Sequence, residues 1–359
     1  MDKERKKIRK RLLLGSLFFL LAVFFLLAAR MIPGFAGWYA DTVYPVLVGT
    51  IGRFFGLLPF SAAELGLYAG LLSIFYFSGA AALKKRSWFS VLSALWAALG
   101  GLLFSYAACC GVNYYRPPFS AYLERVSDAG SRENLLALCE WLGEQVQLSR
   151  EALEMEMERD PDCWERLPEK GVEAMEMLAL IYPWLDGYYP SPKPVTVSEI
   201  LSVQQCSGVY SPFTIEANYN QDMVSYNIPH AICHELSHLR GFMREDEANF
   251  IGYLACLSSE DMEYRYSGAL LGWIYAGNAL AKVDPAAYIR LYEELPDAVK
   301  IELEENTRFW ARYEGKTAEA AEAVNDAYLK VNGQPEGVKT YGQVVDLMLE
   351  DFVKNRRAQ

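Results

Sequence analysis

The stretch Pro229–Cys256, PHAICHELSHLRGFMREDEANFIGYLAC, decides how the rest of the chain is interpreted. It holds all three histidines of the protein, His230, His234 and His238. Residues four apart on a helix share one face, so His234 and His238 can offer two imidazole nitrogens to one metal ion. Glu235 lies beside them and can carry a proton. The HExxH pattern therefore predicts one zinc ion, bound by His234 and His238, with Glu235 as general base.

The third zinc ligand is expected to be a carboxylate. A catalytic site needs three protein ligands and an open position for water, and no histidine follows His238. Gly241 can end the helix with a reversed turn, because glycine tolerates a positive φ. A second helix beginning near Arg244 would then bring Glu245 back toward the metal. Asn249, four residues further on, is expected to hydrogen-bond a ligating imidazole.

Other residues of the stretch are less favoured candidates for the metal site. Glu247 is the second choice for the third ligand, and Asp246 is the next. His230 could pair with His234, but we expect it in the first helical turn after Pro229, beside the ligands or the substrate. The competing interpretation is a helix whose histidines only make hydrogen bonds. Three tyrosines are unranked candidates for an oxyanion donor: Tyr210, Tyr275 and Tyr341.

Three apolar runs precede this stretch, at residues 12–30, 65–83 and 88–110. Each approaches the roughly 20 residues that a helix needs to cross a bilayer. The first run could instead be a cleaved signal peptide, but it is long for that role and lacks a good cleavage site. We therefore expect three transmembrane helices.

The positions of Lys and Arg predict the orientation of these helices. The basic segments Lys3–Arg11 and Lys84–Arg86 should both be cytoplasmic. Three crossings would then make residues 1–112 a membrane anchor and residues 113–359 an extracytoplasmic domain. The expected location is the cell membrane, with several passes and a cytoplasmic N-terminus.

The net charge limits which kinds of partner the chain can bind. The net charge is −11 despite the basic N-terminus, so the part after the anchor is acidic and nucleic acid is excluded as a partner. The lipid bilayer and a peptide or protein substrate remain as expected partners.

The seven cysteines lack paired spacing, and we interpret them as buried small hydrophobes, although one disulfide could form in an oxidising compartment.

The exported part is predicted to be mostly helical. Apolar periodicity indicates helices over 131–159 and 172–185, and residues 214–220 alternate like a short strand. The uncharged stretch 266–281 is short for a crossing, so we favour a buried helix over a fourth span. A strand just before an HExxH helix can pair with a substrate backbone, although a structural hairpin is equally consistent. The candidate substrate-binding residues there are Thr214, Glu216 and Asn218.

HELSH with a downstream EDEAN resembles the gluzincin type of zincin metallopeptidase. That resemblance implies Glu245 as the third ligand. The sequence departs from the pattern at Asn249, where aspartate is usual, and the gap between the two motifs is short. HELSHLRG is also similar to the start of the metzincin motif, but Arg244 stands where their third histidine would be.

A longer run, PFTIEANYN followed by HELSHLRGFMREDEANFIGYLAC after three apolar spans, resembles a bacterial membrane family labelled domain of unknown function 3810. The resemblance implies a bacterial envelope protein and a metallopeptidase.

The expected fold is mainly α: a bundle of three transmembrane helices, then a mostly helical zincin-like domain with a small β-element. The expected activity is zinc-dependent hydrolysis of peptide bonds. Two alternatives stay open. One is a catalytically silent protein that keeps the metal for structure or partner binding, and the other is a metal-dependent hydrolase of a cell-wall amide.

Overall fold

The computed structural model describes residues 2–83, 87–123, 129–160, 162–332, 334 and 343–358. These residues are mainly helical with one small sheet, which confirms the predicted fold class. The α-helices are α1 (Asp2–Met31), α2 (Phe35–Thr42), α3 (Tyr44–Leu47), α4 (Arg53–Gly56), α5 (Ala62–Ala82), α6 (Trp88–Tyr106), α7 (Arg132–Arg159), α8 (Leu167–Ile181), α9 (Glu199–Ser202), α10 (Asn227–Leu239), α11 (Glu245–Ser258), α12 (Met262–Val283), α13 (Pro285–Glu294), α14 (Asp297–Ala311), α15 (Lys316–Val331) and α16 (Val344–Ala358). The strands are β1 (Lys193–Pro194), β2 (Gly208–Ser211) and β3 (Glu216–Tyr219).

The chain forms two compact units. The first, here called the membrane unit, comprises Met1–Pro117 together with Ser211–Glu216. The second, the C-terminal unit, comprises Pro118–Tyr210 and Ala217–Gln359. The short segment 211–216 thus belongs by its contacts to the membrane unit, although it is far from that unit in sequence.

Within the part of the chain that the structure describes, three helices of the membrane unit are long and apolar enough to cross a bilayer: Lys3–Met31, Ala62–Ala82 and Trp88–Tyr115. This supports the expectation of a membrane protein with three spans. The last span continues past α6 through a π-helical turn at Ala107–Gly111.

Helices α1 and α6 run parallel. Near their starts, Arg11 Nη1 donates to the backbone oxygen of Ser90, and near their ends the rings of Phe25 and Phe104 pack 6.1 Å apart. Between these contacts the backbones nearly touch, because a Cβ on Gly100 would lie 2.6 Å from the carbonyl oxygen of Gly15. Small residues at such a crossing let two membrane helices pack closely.

The segment 211–216 joins α5 and α6 at one end of the membrane unit. The Glu216 carboxylate accepts hydrogen bonds from the backbone N–H groups of Ala62 and Ala63, at 3.2 and 2.9 Å, where α5 begins. Ser105 Oγ, near the end of α6, donates to the Pro212 carbonyl at 3.1 Å. The start of α5 therefore lies beside the end of α6, as three alternating crossings require. The loop Lys84–Arg86, on which the predicted orientation also depends, lies outside the described residues.

The core of the C-terminal unit consists of α7, α8 and α10–α12. Helix α12 covers residues 266–281 and buries Tyr266, Leu270 and Trp273, which confirms the prediction of a buried helix there. The predicted helix 131–159 is α7. The prediction for 172–185 is wrong at both ends, since α8 begins at Leu167 and ends at Ile181. Pro183 cannot continue the α-helix, and residues 183–185 form a 3₁₀ turn instead.

The sheet has the strand order β1-β3-β2. Strand β1 pairs with β3 in parallel, with Lys193 opposite Asn218. The predicted strand 214–220 is too long, because residues 212–215 form a turn in which Ile215 has a φ of 53°. All four residues of β3 are buried, as expected for a central strand.

Candidate metal centre

The turn between α10 and α11 sets the geometry of the site. Gly241 has a φ of 92°, which confirms the predicted reversed turn. Its N–H donates to the His238 carbonyl, and the N–H of Phe242 donates to the Ser237 carbonyl. These bonds satisfy carbonyls that the helix end would leave without partners. Helix α11 then begins at Glu245, which directs the first turn of this helix toward the histidines of α10.

His234, His238 and Glu245 converge on one point. One ligand atom from each lies within 4.8 Å of the other two. His234 Nε2 is 3.4 Å from Glu245 Oε2, and His238 Nε2 is 3.6 Å from Glu245 Oε1. Two ligand atoms bound to one tetrahedral zinc ion at about 2.1 Å are about 3.4 Å apart. The spacing of the three side chains therefore fits such an ion.

The runner-up ligands are engaged elsewhere. Glu247 is buried, and its Oε1 accepts a hydrogen bond from the backbone N–H of Phe119 at 2.9 Å. Asp246 interacts with Arg244 and with backbone N–H groups at the start of α11, and burial raises its pKa. Among the residues that the structure describes, only Glu245 joins the two histidines in a group able to hold a metal.

Hydrogen bonds at Nδ1 orient both imidazoles. His238 Nδ1 lies 2.8 Å from the Phe242 carbonyl oxygen, which can only accept, so Nδ1 carries the proton. His234 Nδ1 lies 2.8 Å from Asn249 Oδ1 in the same way. In the neutral tautomers, both Nε2 atoms then keep a lone pair directed toward Glu245. This is the arrangement that metal-binding histidines use.

Burial acts to lower the pKa values of both ligand histidines, whereas the nearby carboxylates act to raise them. Burial lowers the pKa of His238 to about 4. Burial also acts to lower the pKa of His234, but hydrogen bonding to Glu245 and the charge of Glu235 outweigh it and raise the pKa to about 8. Positive charge is thus favoured within the cluster, at the histidine closest to Glu245.

Glu235 lies beside the cluster and is only 3% exposed. Its Oε2 has no hydrogen-bond partner among the residues that the structure describes. Burial raises the pKa of this carboxyl to about 8, although the charge of His234 and the backbone N–H of Tyr210 act in the opposite direction. A buried carboxyl with one oxygen left without a hydrogen bond is costly and often marks a functional site.

Strand β2 approaches Glu235 closely at Gly208. A Cβ on Gly208 would lie 2.7 Å from Cγ and from Oε1 of Glu235, so a larger residue would displace the carboxylate. No motif in the sequence indicated this glycine. The nearest signal was the short strand predicted before the HExxH helix.

The remaining predicted residues lie in three different settings. His230 is buried, and its Nε2 contacts the backbone oxygen of Asn249 at 3.2 Å; burial lowers its pKa to about 3. Asn218 Nδ2 donates to the Val209 carbonyl within the sheet. Thr214 belongs to the membrane unit, where its Oγ1 donates to Ser211 Oγ. Glu216 belongs to the same unit and caps α5.

Tyr275 extends the hydrogen bonds around His234. Its hydroxyl donates to Asn249 Oδ1 at 3.3 Å, so this one oxygen accepts hydrogen bonds from both Tyr275 and His234. Tyr210 contacts Glu235 through its backbone N–H. Tyr341, the third candidate for an oxyanion donor, lies outside the described residues.

Fold and site together define a helical membrane protein with a candidate metal centre of the His-His-Glu type. The chain matches the model of the family described as "Protein of unknown function (DUF3810)" over residues 39–349 and therefore belongs to that family. Neither the curated proteins nor the solved structures contain a significant match. The similarity to zincins stays a prediction that rests on the motif and the geometry of the site.

Proposed function

We propose that this chain is a membrane-anchored, zinc-dependent peptidase. The observation that carries the proposal is the convergence of His234, His238 and Glu245 beside Glu235, whose buried Oε2 lacks a partner among the described residues. Three protein ligands with one position left open are typical of catalytic rather than structural zinc. A carboxylate beside such a site is typical of a general base for hydrolysis.

The residues of this chain would divide the chemistry among them. His234, His238 and Glu245 would hold the ion, and Asn249 and Phe242 would keep the imidazoles in the required tautomer. Zinc, when bound, supplies Lewis-acid activation of water near neutral pH. Glu235 would accept the proton from the attacking water and pass it to the leaving amine. Its burial keeps solvent from competing for that proton.

The proposed location is the cell membrane of a bacterium, with the C-terminal unit outside. The parallel course of α1 and α6 supports an odd number of crossings between the N-terminus and residue 113. The basic segment Lys3–Arg11 supports a cytoplasmic N-terminus. Reporter fusions at the two termini would test this orientation, and a cytoplasmic C-terminus would contradict it.

Metal analysis of the purified full-length chain tests the site. We expect about one zinc ion per chain in the wild type and a loss of at least tenfold in affinity for Glu245→Ala. Glu247→Gln is the matched control, because that residue also lies in the first turn of α11 but binds the backbone of Phe119. Zinc lost from the Glu247 variant and kept in the Glu245 variant would contradict the ligand set.

A further inference from the structure

An apolar patch lies at the end of α8, away from the residues of the metal centre in sequence. Leu180 is 85% exposed, Ile181 is 63% exposed and Trp184 is 41% exposed. We call these three residues the α8 patch. The surrounding run 177–185, MLALIYPWL, carries no charge, although the chain as a whole is strongly acidic. Exposed apolar side chains grouped within an uncharged run of this kind indicate an interaction surface.

The α8 patch is anchored to the segment that leaves the third span. The rings of Trp184 and Tyr122 stack with centroids 4.6 Å apart. Tyr182, between the patch residues, packs on Phe119 at 5.5 Å. Phe119 is fully buried, so its contact with Tyr182 holds the run in place, whereas Leu180 and Ile181 project outward.

Chain length limits how far the α8 patch can be from a bilayer. The third candidate span ends at Tyr115, and Tyr122 follows it by seven positions. Seven extended residues reach at most about 25 Å. Tyr122, on which Trp184 stacks, therefore stays within that distance of the end of the third span in any arrangement of the chain.

We propose that the α8 patch inserts into the outer part of the bilayer that the three spans cross. Tryptophan and tyrosine favour the headgroup layer, and the exposed leucine and isoleucine would bury their apolar surface just below it. Because the run contains no Lys or Arg, the contact requires no anionic lipid. Three side chains are also too few for a stable protein interface, which buries about 800 Å² on each partner. This inference does not depend on the metal centre.

Fluorescent labelling of the full-length protein in phosphatidylcholine vesicles tests the proposal. In a Cys206→Ser background, which removes the one half-buried thiol among otherwise buried cysteines, Leu180→Cys would carry an environment-sensitive dye. Val324→Cys is the matched control, since Val324 is an apolar residue of α15 with 70% exposure. Lipids with a nitroxide near the glycerol end of the acyl chain serve as the quencher.

We expect at least about twofold stronger quenching and a blue-shifted emission at position 180, as for a side chain in the bilayer interface. Equal quenching at the two positions would overturn the proposal. The proposal would also be overturned if the dye at position 180 showed no nitroxide quenching but became more shielded from aqueous iodide as the protein-to-lipid ratio rose. That result would indicate that a second copy of the chain covers the patch. Unfolding midpoints equal to that of the parent protein verify the fold, and Ile181→Cys repeats the measurement at the neighbouring position.

Discussion

The two units of this protein distribute polarity in opposite ways. In the membrane unit, many large apolar side chains face outward, and Phe75 on α5 is 83% exposed. In the C-terminal unit, α10 and α11 bury His234, Glu235, His238 and Glu247 almost completely.

Each arrangement is unfavourable in water and reasonable in its own setting. Exposed apolar helices are stable where lipid replaces water, because their backbone hydrogen bonds are satisfied within the helix. Buried ionisable groups are stable only when ions or hydrogen bonds compensate them. One unit is thus adapted to a lipid solvent, whereas the other stabilises buried ionisable groups, as the proposed metal centre would require.

The largest expected effect concerns the buried carboxyl of Glu235. Glu235→Gln should lower the hydrolysis of a mixture of internally quenched peptides by about 10²–10⁴-fold, because an amide cannot accept the proton. Zinc content should stay at the wild-type level, since the three ligands are unchanged. A variant that keeps its turnover would contradict the assignment of the general base, and the catalytically silent alternative predicts turnover in neither protein.

A buried ion pair elsewhere in the C-terminal unit gives the next largest effect. Lys170 Nζ lies 2.8 Å from Glu263, which is 1% exposed, and 3.2 Å from Asp261. Lys170→Met should lower the free energy of unfolding by about 3–5 kcal/mol, because it leaves a buried carboxylate without its partner. Urea unfolding in detergent, followed by tryptophan fluorescence, measures the change.

Arg290→Met is the control for that variant. Arg290 pairs with Glu140 and Glu294 at the surface, where such pairs contribute little. No measurable change is expected. Equal losses in the Lys170 and Arg290 variants would show that burial does not set the strength of these pairs.

In the membrane unit, helix packing should matter more than polarity. Gly100→Ala places a methyl group against the backbone of Gly15 and should destabilise the unit by about 1–3 kcal/mol. A methyl group at Gly70 on α5 meets no atom of the described residues within 4 Å, so Gly70→Ala should not destabilise the unit. Thermal unfolding in detergent compares the two variants, and an equal response would argue against the close contact between α1 and α6.

The smallest effect is a pH dependence. Burial raises the pKa of Asp351, and Lys354 and Asn355 offset this only in part. Because the folded pKa is the higher one, the stability from this carboxyl is complete below its unfolded pKa of about 4 and is lost as the pH rises through the folded pKa. Asp351→Asn should therefore match the wild type at low pH and exceed it slightly at pH 7 in urea unfolding. A variant that is less stable than the wild type at pH 7 would contradict this prediction.

The sequence by itself determined the apolar helices, the HExxH helix and the turn at Gly241. These features depend on residues close in the chain: a run long enough for a bilayer, a period of four, and one residue that tolerates a positive φ. The same local pattern also restricted the candidates for the proposed third metal ligand to three acidic residues of one helical turn.

Only the tertiary structure showed which of those three lies beside the two histidines. Glu245 faces the histidines, whereas Glu247 is turned toward the backbone of Phe119, a residue 128 positions before it in the chain. The carbonyl of Phe242 sets the tautomer of His238, and Gly208 brings a strand against Glu235. Such contacts depend on how each helix is rotated about its axis in the packed core, and a periodic pattern in one segment contains no information about that rotation.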